Sequence, residues 1–460
     1  MITAVPRRRP LLCSPEALRP ASARVARLAL ATALAAGGLL NCGTGLSAAG
    51  RGIGVMGGDA QGGTGSTPAD AGTGGGDQGE TPGGSPGPLD PGTATSPVAS
   101  SDPASAATAP AAGSGFRDRY AFRGRFDFSD RAGPRFAWPN SAIGANFTGS
   151  SLTLRLVDPL PTTYNGVAVN NRYDVTIDQR PSVKVAIVPG TTDYPIALDL
   201  PAGPHTVWVS KRTEANIGRG QFLGMALAAN GIFLTPPAAR SRFIEFVGDS
   251  ASSGYGADGN SKRWNDCTFS VDTANSSIAY PRVAADLLGA DFHNVAFAGK
   301  GITRNRSPAD PVLTMPVIYA LWDPRDDQTR YDFSRPAADV AVINVGGNDW
   351  TSDSLVLIPP NQQQFTAKYL QLIQSVRQHA PTATIFCAVT SQAHGKDRAT
   401  YIAYLKAVVE EASKQGDVRF FEFREYNGEL GWGCDGHPSA ASSQNMAQQL
   451  VAAIKAAHGW

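Results

Sequence analysis

Residues 242–250 read RFIEFVGDS, and this stretch decides how the second half of the chain folds. A short apolar run that ends in glycine is typical of a strand buried on both faces of a parallel sheet. Similar runs follow, namely HNVAFAG at 293–299, VAVINVGG at 340–347, TIFCAVT at 384–390 and RFFEF at 419–423. The intervening segments predict helices near 277–289, 362–379, 398–415 and from about Ala440 onwards. We therefore predict a doubly wound, flavodoxin-like α/β domain over residues 239–460.

The polar residues that follow these strands are the first candidates for a site. Ligands of open parallel sheets bind beyond the carboxyl ends of the strands, so the residues there are expected to meet at one rim. The first strand is followed by Ser250, the second by Gly299 and the third by Asn348. After the fifth strand, the sequence GCDGHP at 433–438 carries His437.

This set of residue types suits acyl transfer. A serine hydroxyl becomes a strong nucleophile when a histidine accepts its proton, and the oxyanion that forms needs nearby hydrogen-bond donors. The backbone N–H groups of Ser250 and Gly299 and the side-chain amide of Asn348 are candidates for these donors. Each residue alone has an ordinary interpretation, as a helix cap, a turn residue or a core histidine. Their joint appearance at four strand ends favours catalysis.

A different pattern covers residues 116–238. Short alternating runs occur at 150–158, 172–178, 183–188, 194–200 and 205–212, and turn residues separate them. Within the first run, Leu152, Leu154 and Leu156 recur with a period of two, which is the period of a half-buried strand. The pattern predicts an all-β sandwich, specifically a jelly roll.

The N-terminal region has the composition of an export signal followed by a linker. Several arginines precede the apolar run LALATALAAGGLL at 28–40, which is too short to cross a bilayer as a helix. We predict a signal peptide at 1–42 that ends in a possible bacterial lipobox, with Cys42 as the lipidated residue; cleavage and free release is the alternative. Residues 43–115 are rich in Gly, Ser, Thr, Pro and Ala and predict a disordered linker. The protein is then a cell-surface or periplasmic lipoprotein, or it is secreted.

Composition excludes several classes of partner. The chain of 460 residues has 40 basic and 39 acidic side chains, a net charge of +1, so it lacks the positive field that nucleic-acid binding requires. The five cysteines and six histidines show no zinc-binding spacing. We expect neither a metal nor another cofactor.

Longer stretches resemble a known family. The four blocks around Ser250, Gly299, Asn348 and His437 resemble those of the SGNH, or GDSL-type, hydrolases. The segments KRTEANIGRGQFLG at 211–224, FIEFVGDSASSGYG at 243–256, AFAGKGITRN at 296–305 and VINVGGNDW at 342–350, with a β-sandwich ahead of them, resemble carbohydrate esterase family two. The resemblance implies removal of O-acetyl groups from acetylated xylan, mannan or related glycans, with water as the acyl acceptor.

Two positions depart from the usual SGNH pattern. The triad aspartate commonly stands three residues before the histidine, where this chain has Cys434, whereas Asp435 stands two before it. Some members of the resembled family use a serine–histidine dyad in which a backbone carbonyl orients the imidazole. We expect the Asp435 side chain to orient His437 and keep the carbonyl as the alternative. Gly347 also stands where such motifs often carry threonine.

Further residues are candidates for supporting roles. Trp350 and Trp432 flank the Asn and His blocks and are candidates for stacking on sugar rings, with wall packing as the alternative. Cys267 and Cys434 lie near the Ser and His blocks and are candidates for a disulfide in an exported protein, whereas Cys387 is expected to be a buried free thiol. Two other functions stay open: an SGNH lipase or thioesterase, and a non-catalytic glycan-binding lipoprotein. We expect a monomer.

Overall fold

The computed structural model describes residues 114–160, 162–164, 166–310, 313–351 and 358–460. The predicted signal peptide at 1–42, its Cys42 and the predicted linker up to residue 113 lie outside the described residues. Helix α1 spans Ser114–Arg117, so the last two residues assigned to the linker are helical. Among the described residues, no helix combines the length and apolarity that a membrane span needs.

The hydrolase part contains a five-stranded parallel sheet. Its strands are β12 (Arg242–Gly248), β13 (Ala290–Ala296), β14 (Val340–Asn344), β15 (Thr384–Val389) and β16 (Val418–Glu422), in the spatial order β13-β12-β14-β15-β16. The helices are α2 (Ser250–Ser253), α3 (Tyr280–Leu288), α4 (Met315–Ile318), α5 (Gln362–His379), α6 (Gly395–Ala412) and α7 (Ala440–His458). The order 2-1-3-4-5 is that of flavodoxin-like folds, which confirms the prediction.

Both faces of this sheet are covered by helices because its strands are apolar on both sides. On one face Val247, Ile343 and Ile385 pack in a core with residues of α5 and α6. On the other face Phe246, Val342 and Phe386 pack with residues of α3 and α7. The side-chain alternation of a strand sends consecutive residues to opposite faces. The carboxyl ends of the strands are therefore left open as a rim between the two helical layers.

The N-terminal part is a sandwich of two antiparallel sheets. One sheet has the order β1 (Ala121–Arg123), β3 (Ala142–Thr148), β10 (Pro204–Lys211), β7 (Arg172–Ile177) and β8 (Val183–Ala186). The other has the order β2 (Arg135–Phe136), β11 (Gly220–Leu227), β4 (Leu152–Val157) and β9 (Asp193–Ala197), and a separate hairpin pairs β5 (Thr162–Tyr164) with β6 (Val167–Val169). The predicted alternation in β4 is confirmed, since Leu152, Leu154 and Leu156 are buried.

Strands β3 and β11 were not predicted from the sequence pattern. In β3 the first four residues are all buried, so the period of two that marks a half-exposed strand is absent. Strand β11 begins at a glycine and has a register shift between Phe222 and Gly224. Such a bulge interrupts the alternation of side chains between the two faces.

Buried polar contacts join the sandwich to the hydrolase part. The indole N–H of Trp138 donates to the carbonyl of Leu321 at 2.9 Å. The Arg125 guanidinium pairs with the Glu245 carboxylate at 2.8 Å, and both side chains are buried. Because an unpaired buried charge would cost several kcal/mol, these pairs fix how the sandwich seats on the sheet.

Candidate active site

Ser250 and His437 meet at the open rim of the sheet. The Ser250 hydroxyl donates to Nε2 of His437 with an Oγ–Nε2 distance of 2.8 Å, although the residues are 187 positions apart in the chain. Ser250 and His437 are 9% and 8% exposed, respectively, so the pair is largely shielded yet still reachable from one side. This is the geometry that lets an imidazole take the proton of an attacking hydroxyl.

The other ring nitrogen of His437 faces backbone carbonyls. Nδ1 lies 3.1 Å from the carbonyl oxygen of Asp435 and 3.2 Å from that of Cys434. Two acceptors at Nδ1 place the proton on that nitrogen and leave Nε2 free to accept. The expected contact between the Asp435 carboxylate and His437 is wrong. That carboxylate turns away and accepts hydrogen bonds from the Tyr255 hydroxyl at 2.9 Å and the Phe269 N–H at 3.1 Å.

The backbone explains this correction. Asp435 has φ 51° and ψ 38°, a left-handed conformation inside the short 3₁₀ turn Cys434–Gly436. This conformation directs the carbonyl of residue 435, rather than its side chain, towards the imidazole. Asp is among the non-glycine residues that tolerate the left-handed region best.

Ser250 occupies the first position of a short helix directly after β12. The Asp249 carboxylate caps this helix by accepting from the N–H of Ala251 at 3.3 Å. The helix ends at Gly254, whose φ of 80° is left-handed. The chain therefore turns sharply out of the sheet and places the Ser250 hydroxyl at the rim, with the Ser250 N–H at the helix start, where helical N–H groups lack intrahelical partners.

The two other predicted donors lie at the ends of the neighbouring strands. Gly299 follows β13 and has φ 77°, which favours glycine. Asn348 lies in the 3₁₀ turn Gly347–Asp349 after β14, and its side-chain amide donates to the carbonyl of Lys300 at 2.9 Å and, more weakly, to Asp249 at 3.3 Å. The amide thereby bridges the loops that follow β12, β13 and β14.

Asp349 and Arg304 hold these loops together, and the sequence motifs did not single them out. The buried Asp349 carboxylate accepts from the N–H groups of Ile302 and Thr303 at 2.8 and 2.7 Å. The Arg304 guanidinium in turn donates to the carbonyl of Thr351 at 3.0 Å. The signal that could have identified Asp349 is a charged residue directly after the Asn block, where a buried carboxylate needs backbone donors.

Burial dominates the electrostatics of the site. It lowers the pKa of His437 to about 4, although the two carbonyls at Nδ1 act in the opposite direction. The imidazole is therefore neutral, and able to accept a proton, above that pH. Burial also raises the pKa of Asp249 to about 7, and the charge of the nearby Asp349 carboxylate raises it further. Burial raises the pKa of Asp349 as well. Below about pH 7 the Asp249 carboxyl is mostly protonated, and it then adds no negative charge near the place where an oxyanion would form.

The histidine loop, residues 433–438, is tied to the loop after α2. A disulfide joins Cys434 to Cys267. The N–H of Asp435 donates to the carbonyl of Cys267 at 2.8 Å, and the N–H of Cys434 donates to the carbonyl of Gly256 at 2.9 Å. Cys387 is free and buried on β15. These links hold the imidazole in place although no strand or long helix carries it.

A cavity of about 280 Å³ opens over the Ser250–His437 pair. Most of its lining side chains are polar, and a few are apolar or aromatic. The polar ones include Asp249, Arg306, Asn348, Thr351, Thr390, Gln392, His394 and Asp397. Among the described residues, no cluster of three His, Cys, Asp or Glu side chains could hold a metal ion. The cavity thus offers many hydrogen-bonding groups to a small polar ligand.

Trp350 and Trp432, the two tryptophans that the sequence put forward for stacking on sugar rings, make different contacts. Trp350 lines the cavity but is 5% exposed and packs against Tyr401 with ring centroids 5.1 Å apart. Trp432 does not line the cavity; it packs on Tyr426, and its backbone pairs with that of Ser261 in the loop after α2. These contacts of Trp432 fit the packing alternative, and stacking of this residue on a sugar ring stays a prediction.

The sequence analysis did not single out Trp264, an exposed aromatic residue beside the histidine loop. It is 63% exposed, and its side chain lies beside Gly436, directly before the catalytic-site histidine. A tryptophan within the polar stretch SKRWND at 261–266 was the available signal.

Lys211, Arg212 and Glu214 are buried where the sandwich meets the hydrolase part. Arg212 pairs with Asp174 of the sandwich and with Asp258 of the hydrolase part. Glu214 is fully buried, and burial raises the pKa of its carboxyl to about 8, so it is neutral at pH 7. Lys211 donates to the carbonyl of Glu214 at 2.7 Å.

Comparison with known proteins agrees with this geometry. The carbohydrate esterase 2 N-terminal family matches residues 122–237, and the GDSL-like lipase/acylhydrolase family matches residues 246–444. The fold and the site thus define a hydrolase of the SGNH class.

Two relatives indicate which kind of SGNH hydrolase this chain is similar to. The chain is 33% identical over 341 residues to the cellulase/esterase CelE of Acetivibrio thermocellus, a match that covers 74% of this chain and 39% of that protein. It is 28% identical over 342 residues to an acetylxylan esterase / glucomannan deacetylase of Cellvibrio japonicus, covering 70% of this chain and 86% of the relative. The chain thus spans less than half the length of CelE.

A solved structure extends the match. The structure of a family two carbohydrate esterase from Clostridium thermocellum in complex with cellohexaose is 33% identical, with a TM-score of 0.65, and covers 74% of this chain and 99% of that one. The chain therefore belongs to carbohydrate esterase family two, a family of carboxylic ester hydrolases, as its sequence blocks predicted.

Proposed function

We propose that this protein is a serine esterase that removes O-acetyl groups from carbohydrate through an acyl-enzyme intermediate. The observation that carries the proposal is the 2.8 Å hydrogen bond from the Ser250 hydroxyl to Nε2 of His437. It lies at the base of a cavity lined by hydrogen-bonding groups. The proposed substrates are acetylated xylan, acetylated mannan and related glycans.

The first half of the reaction uses both residues of the pair. Ser250 Oγ attacks the acetyl carbonyl carbon while its proton passes to Nε2 of His437. The carbonyls of Cys434 and Asp435 stabilise the resulting imidazolium at Nδ1. When the tetrahedral intermediate collapses, the imidazolium returns its proton to the departing sugar oxygen, and the acetyl group stays on Ser250.

The second half repeats these steps with water. His437 takes a proton from a water molecule that attacks the acetyl-serine, and the collapse of the second intermediate releases acetate and restores the Ser250 hydroxyl. Asp435 contributes its carbonyl rather than its carboxylate, so the catalytic unit is a dyad.

The oxyanion in both halves is bound by the N–H groups of Ser250 and Gly299 and by the Asn348 amide. One hydrogen of this amide is held by the Lys300 carbonyl at 2.9 Å, whereas the other makes the longer 3.3 Å contact with Asp249. The weaker contact is the one that an oxyanion would replace. Donors held in advance by the protein stabilise the transition state without reorganising when the reaction occurs.

The cavity lining supports a sugar ester over a fatty acyl ester. Hydroxyl-rich ligands need polar partners such as Gln392, His394 and Asp397, whereas a long acyl chain needs an extended apolar wall. The polar side chains around this cavity fit the first case. The relative from Cellvibrio japonicus carries the name acetylxylan esterase / glucomannan deacetylase, which supports the same substrate class.

The test is acetate release from acetylated xylan and acetylated glucomannan, beside a panel of p-nitrophenyl esters from acetate to octanoate. We expect acetate release from the glycans and faster turnover of the acetyl ester than of the octanoyl ester. A preference for octanoate would favour the lipase alternative. Binding of glycan without any ester hydrolysis would favour the non-catalytic alternative.

Ser250→Ala is the control that identifies the nucleophile. We expect it to lower kcat by at least about 10³-fold, as loss of a catalytic serine does in other hydrolases, while the circular dichroism spectrum stays that of the parent. Turnover close to that of the parent would remove Ser250 from this role.

We also propose that the protein is exported, and either attached to a membrane through acyl chains on Cys42 or released. The basic and apolar segments at 1–42 support this proposal. Cys42→Ala is expected to move the esterase from the membrane fraction to the soluble one. A parent protein found in the soluble fraction would favour release without lipidation, and a Cys42→Ala variant that stays in the membrane fraction would exclude Cys42 as the anchor.

A further inference from the structure

Among the described residues, no carboxylate is hydrogen-bonded to the His437 imidazole as the aspartate of a triad is. The Asp435 carboxylate binds the Tyr255 hydroxyl and the Phe269 N–H instead of the imidazole. The carbonyls of Cys434 and Asp435 face the ring at Nδ1, and a further contact is made on its face. The side chain packed on the face of the imidazole is that of Tyr255.

Tyr255 lies between two rings. Its ring centroid is 4.3 Å from that of His437, with the two planes tilted by 37°. On its other side it stacks on Phe269, with centroids 4.1 Å apart and an angle of 21° between the planes. The imidazole therefore rests on a phenol ring that is itself held against a second aromatic ring.

The Tyr255 hydroxyl is also bound. It donates to Oδ2 of Asp435 at 2.9 Å and lies 3.3 Å from the hydroxyl of Tyr164, which belongs to strand β5 of the sandwich. Burial raises the pKa of Tyr255, so the hydroxyl keeps its proton and remains a donor. Its acceptor is the carboxylate of the left-handed residue whose carbonyl faces Nδ1.

We propose that Tyr255 is a positioning residue for His437: its ring supports the imidazolium and its hydroxyl, through Asp435, fixes the turn that presents the carbonyl to Nδ1. The proposal rests on the Ser250–His437 chemistry proposed above. The aspartate of this chain then acts on the histidine indirectly, by holding backbone geometry.

The ring contact helps catalysis because it is stronger for a cation than for a neutral ring. The face of a phenol ring carries negative charge density, which attracts a cation and has little effect on a neutral imidazole. The imidazole becomes positive only as it takes the proton of Ser250. An interaction that strengthens in the transition state raises kcat rather than lowering KM.

The test compares Tyr255→Phe with Tyr255→Leu on the acetyl ester. We expect the leucine variant to lose about tenfold or more in kcat, with KM changed by less than about twofold. The phenylalanine variant keeps the ring and loses only the hydroxyl bond to Asp435, so we expect a kcat loss of about threefold, smaller than that of the leucine variant. Equal losses in both variants, or a leucine variant with the kcat of the parent, would overturn the role of the ring.

A second measurement avoids any change in packing. Phenylalanine and increasingly fluorinated phenylalanines can be placed at position 255, because fluorine withdraws charge from the ring face with little change in shape. We expect kcat to fall steadily with each added fluorine. A kcat that is independent of fluorination would contradict the proposal even if the leucine variant fails to fold.

Two controls separate this inference from the proposed function. Phe333 stacks on His379 at 3.6 Å outside the catalytic cavity, so Phe333→Leu removes a comparable ring contact and is expected to leave kcat unchanged. Ser250→Ala tests the proposed chemistry itself. If Ser250→Ala is inactive while Tyr255→Leu and the fluorinated series match the parent, the Tyr255 proposal fails and the esterase assignment stands.

Discussion

The active site has two sides that are constructed differently. The strand side carries Ser250, Gly299 and Asn348, and the loop side carries His437. Ser250, Gly299 and Asn348 follow β12, β13 and β14, which are neighbours in the sheet, so the sheet itself brings them together. His437 lies on the histidine loop, beyond β16 at the edge of the same sheet. The disulfide, the 3₁₀ turn and Tyr255 hold that loop.

The difference shows two ways to position a catalytic group. The sheet fixes where each strand ends, and Asp349 and Arg304 then hold the loops that follow. A loop with no register needs crosslinks of its own. We therefore expect changes near the strand ends to affect transition-state stabilisation, and changes near the histidine loop to affect stability and imidazole position together.

The largest expected effect after loss of the nucleophile is on the strand side. Asn348→Ala removes one oxyanion donor and is expected to lower kcat by about 10²–10³-fold with a smaller change in KM. Asn344→Ala, four residues earlier on β14, removes a buried asparagine that bonds to Tyr280. This control is expected to lower stability but to keep kcat in the folded fraction. A kcat loss below about threefold for Asn348→Ala would exclude the amide from the oxyanion site.

The disulfide tests the loop side. Replacing both Cys267 and Cys434 by serine is expected to lower the free energy of unfolding by about 2–4 kcal/mol, because the crosslink closes a long chain segment. Since the histidine loop is then less constrained, kcat should fall as well. Urea unfolding and acetate release measure the two effects. Cys387→Ala is the cysteine control and should keep the parent's kcat; a serine pair that matches the parent in both assays would show that the disulfide is dispensable.

The buried Glu214 gives a pH-dependent prediction at the junction of the sandwich with the site. Its pKa is about 8 in the folded chain against 4.5 as the ordinary value. Between these pH values the folded state binds one proton more than the unfolded state, so this group's contribution to the free energy of unfolding falls as the pH rises. Glutamine has no such dependence. We therefore expect the free energy of unfolding of Glu214→Gln to rise relative to that of the parent as the pH rises. The expected rise is up to about 1.4 kcal/mol per pH unit between about pH 4.5 and pH 8.

Unfolding measured at pH 5 and pH 8 checks this expectation. Glu429→Gln makes the same chemical change on an exposed side chain and is the control for replacing a carboxyl group by an amide. A stability difference between Glu214→Gln and the parent that is the same at both pH values would contradict the raised pKa.

The smallest expected effect concerns Asp435. Its asparagine variant keeps an oxygen that can accept from Tyr255 and Phe269, so we expect kcat to change by less than about tenfold. In a triad where the carboxylate binds the imidazole directly, the same substitution costs about 10⁴-fold. The kcat of Asp435→Asn thus distinguishes the two arrangements, and a loss near 10⁴-fold would restore the direct contact.

Much of the strand side was predictable and much of the loop side was not. Ser250, Gly299 and Asn348 each follow an apolar run that marks its own strand, so local pattern and sheet topology together predict where they meet. Asp435 was misjudged because its distance in sequence from His437 is compatible with contact through either the side chain or the carbonyl. The backbone dihedral angles decide between them, and neighbouring loops set those angles.

The sequence by itself determined the strands and the long helices of the hydrolase part, the order of the polar residues at the strand ends and the family. These features depend on local periodicity and on the chain direction, which a linear pattern records. Only the tertiary structure decided that Asp435 bonds to Tyr255, that Trp432 packs away from the cavity and that Glu214 is buried near the nucleophile turn. Such contacts join segments far apart in the chain, and their free energies depend on distances and burial that exist only once the chain has folded.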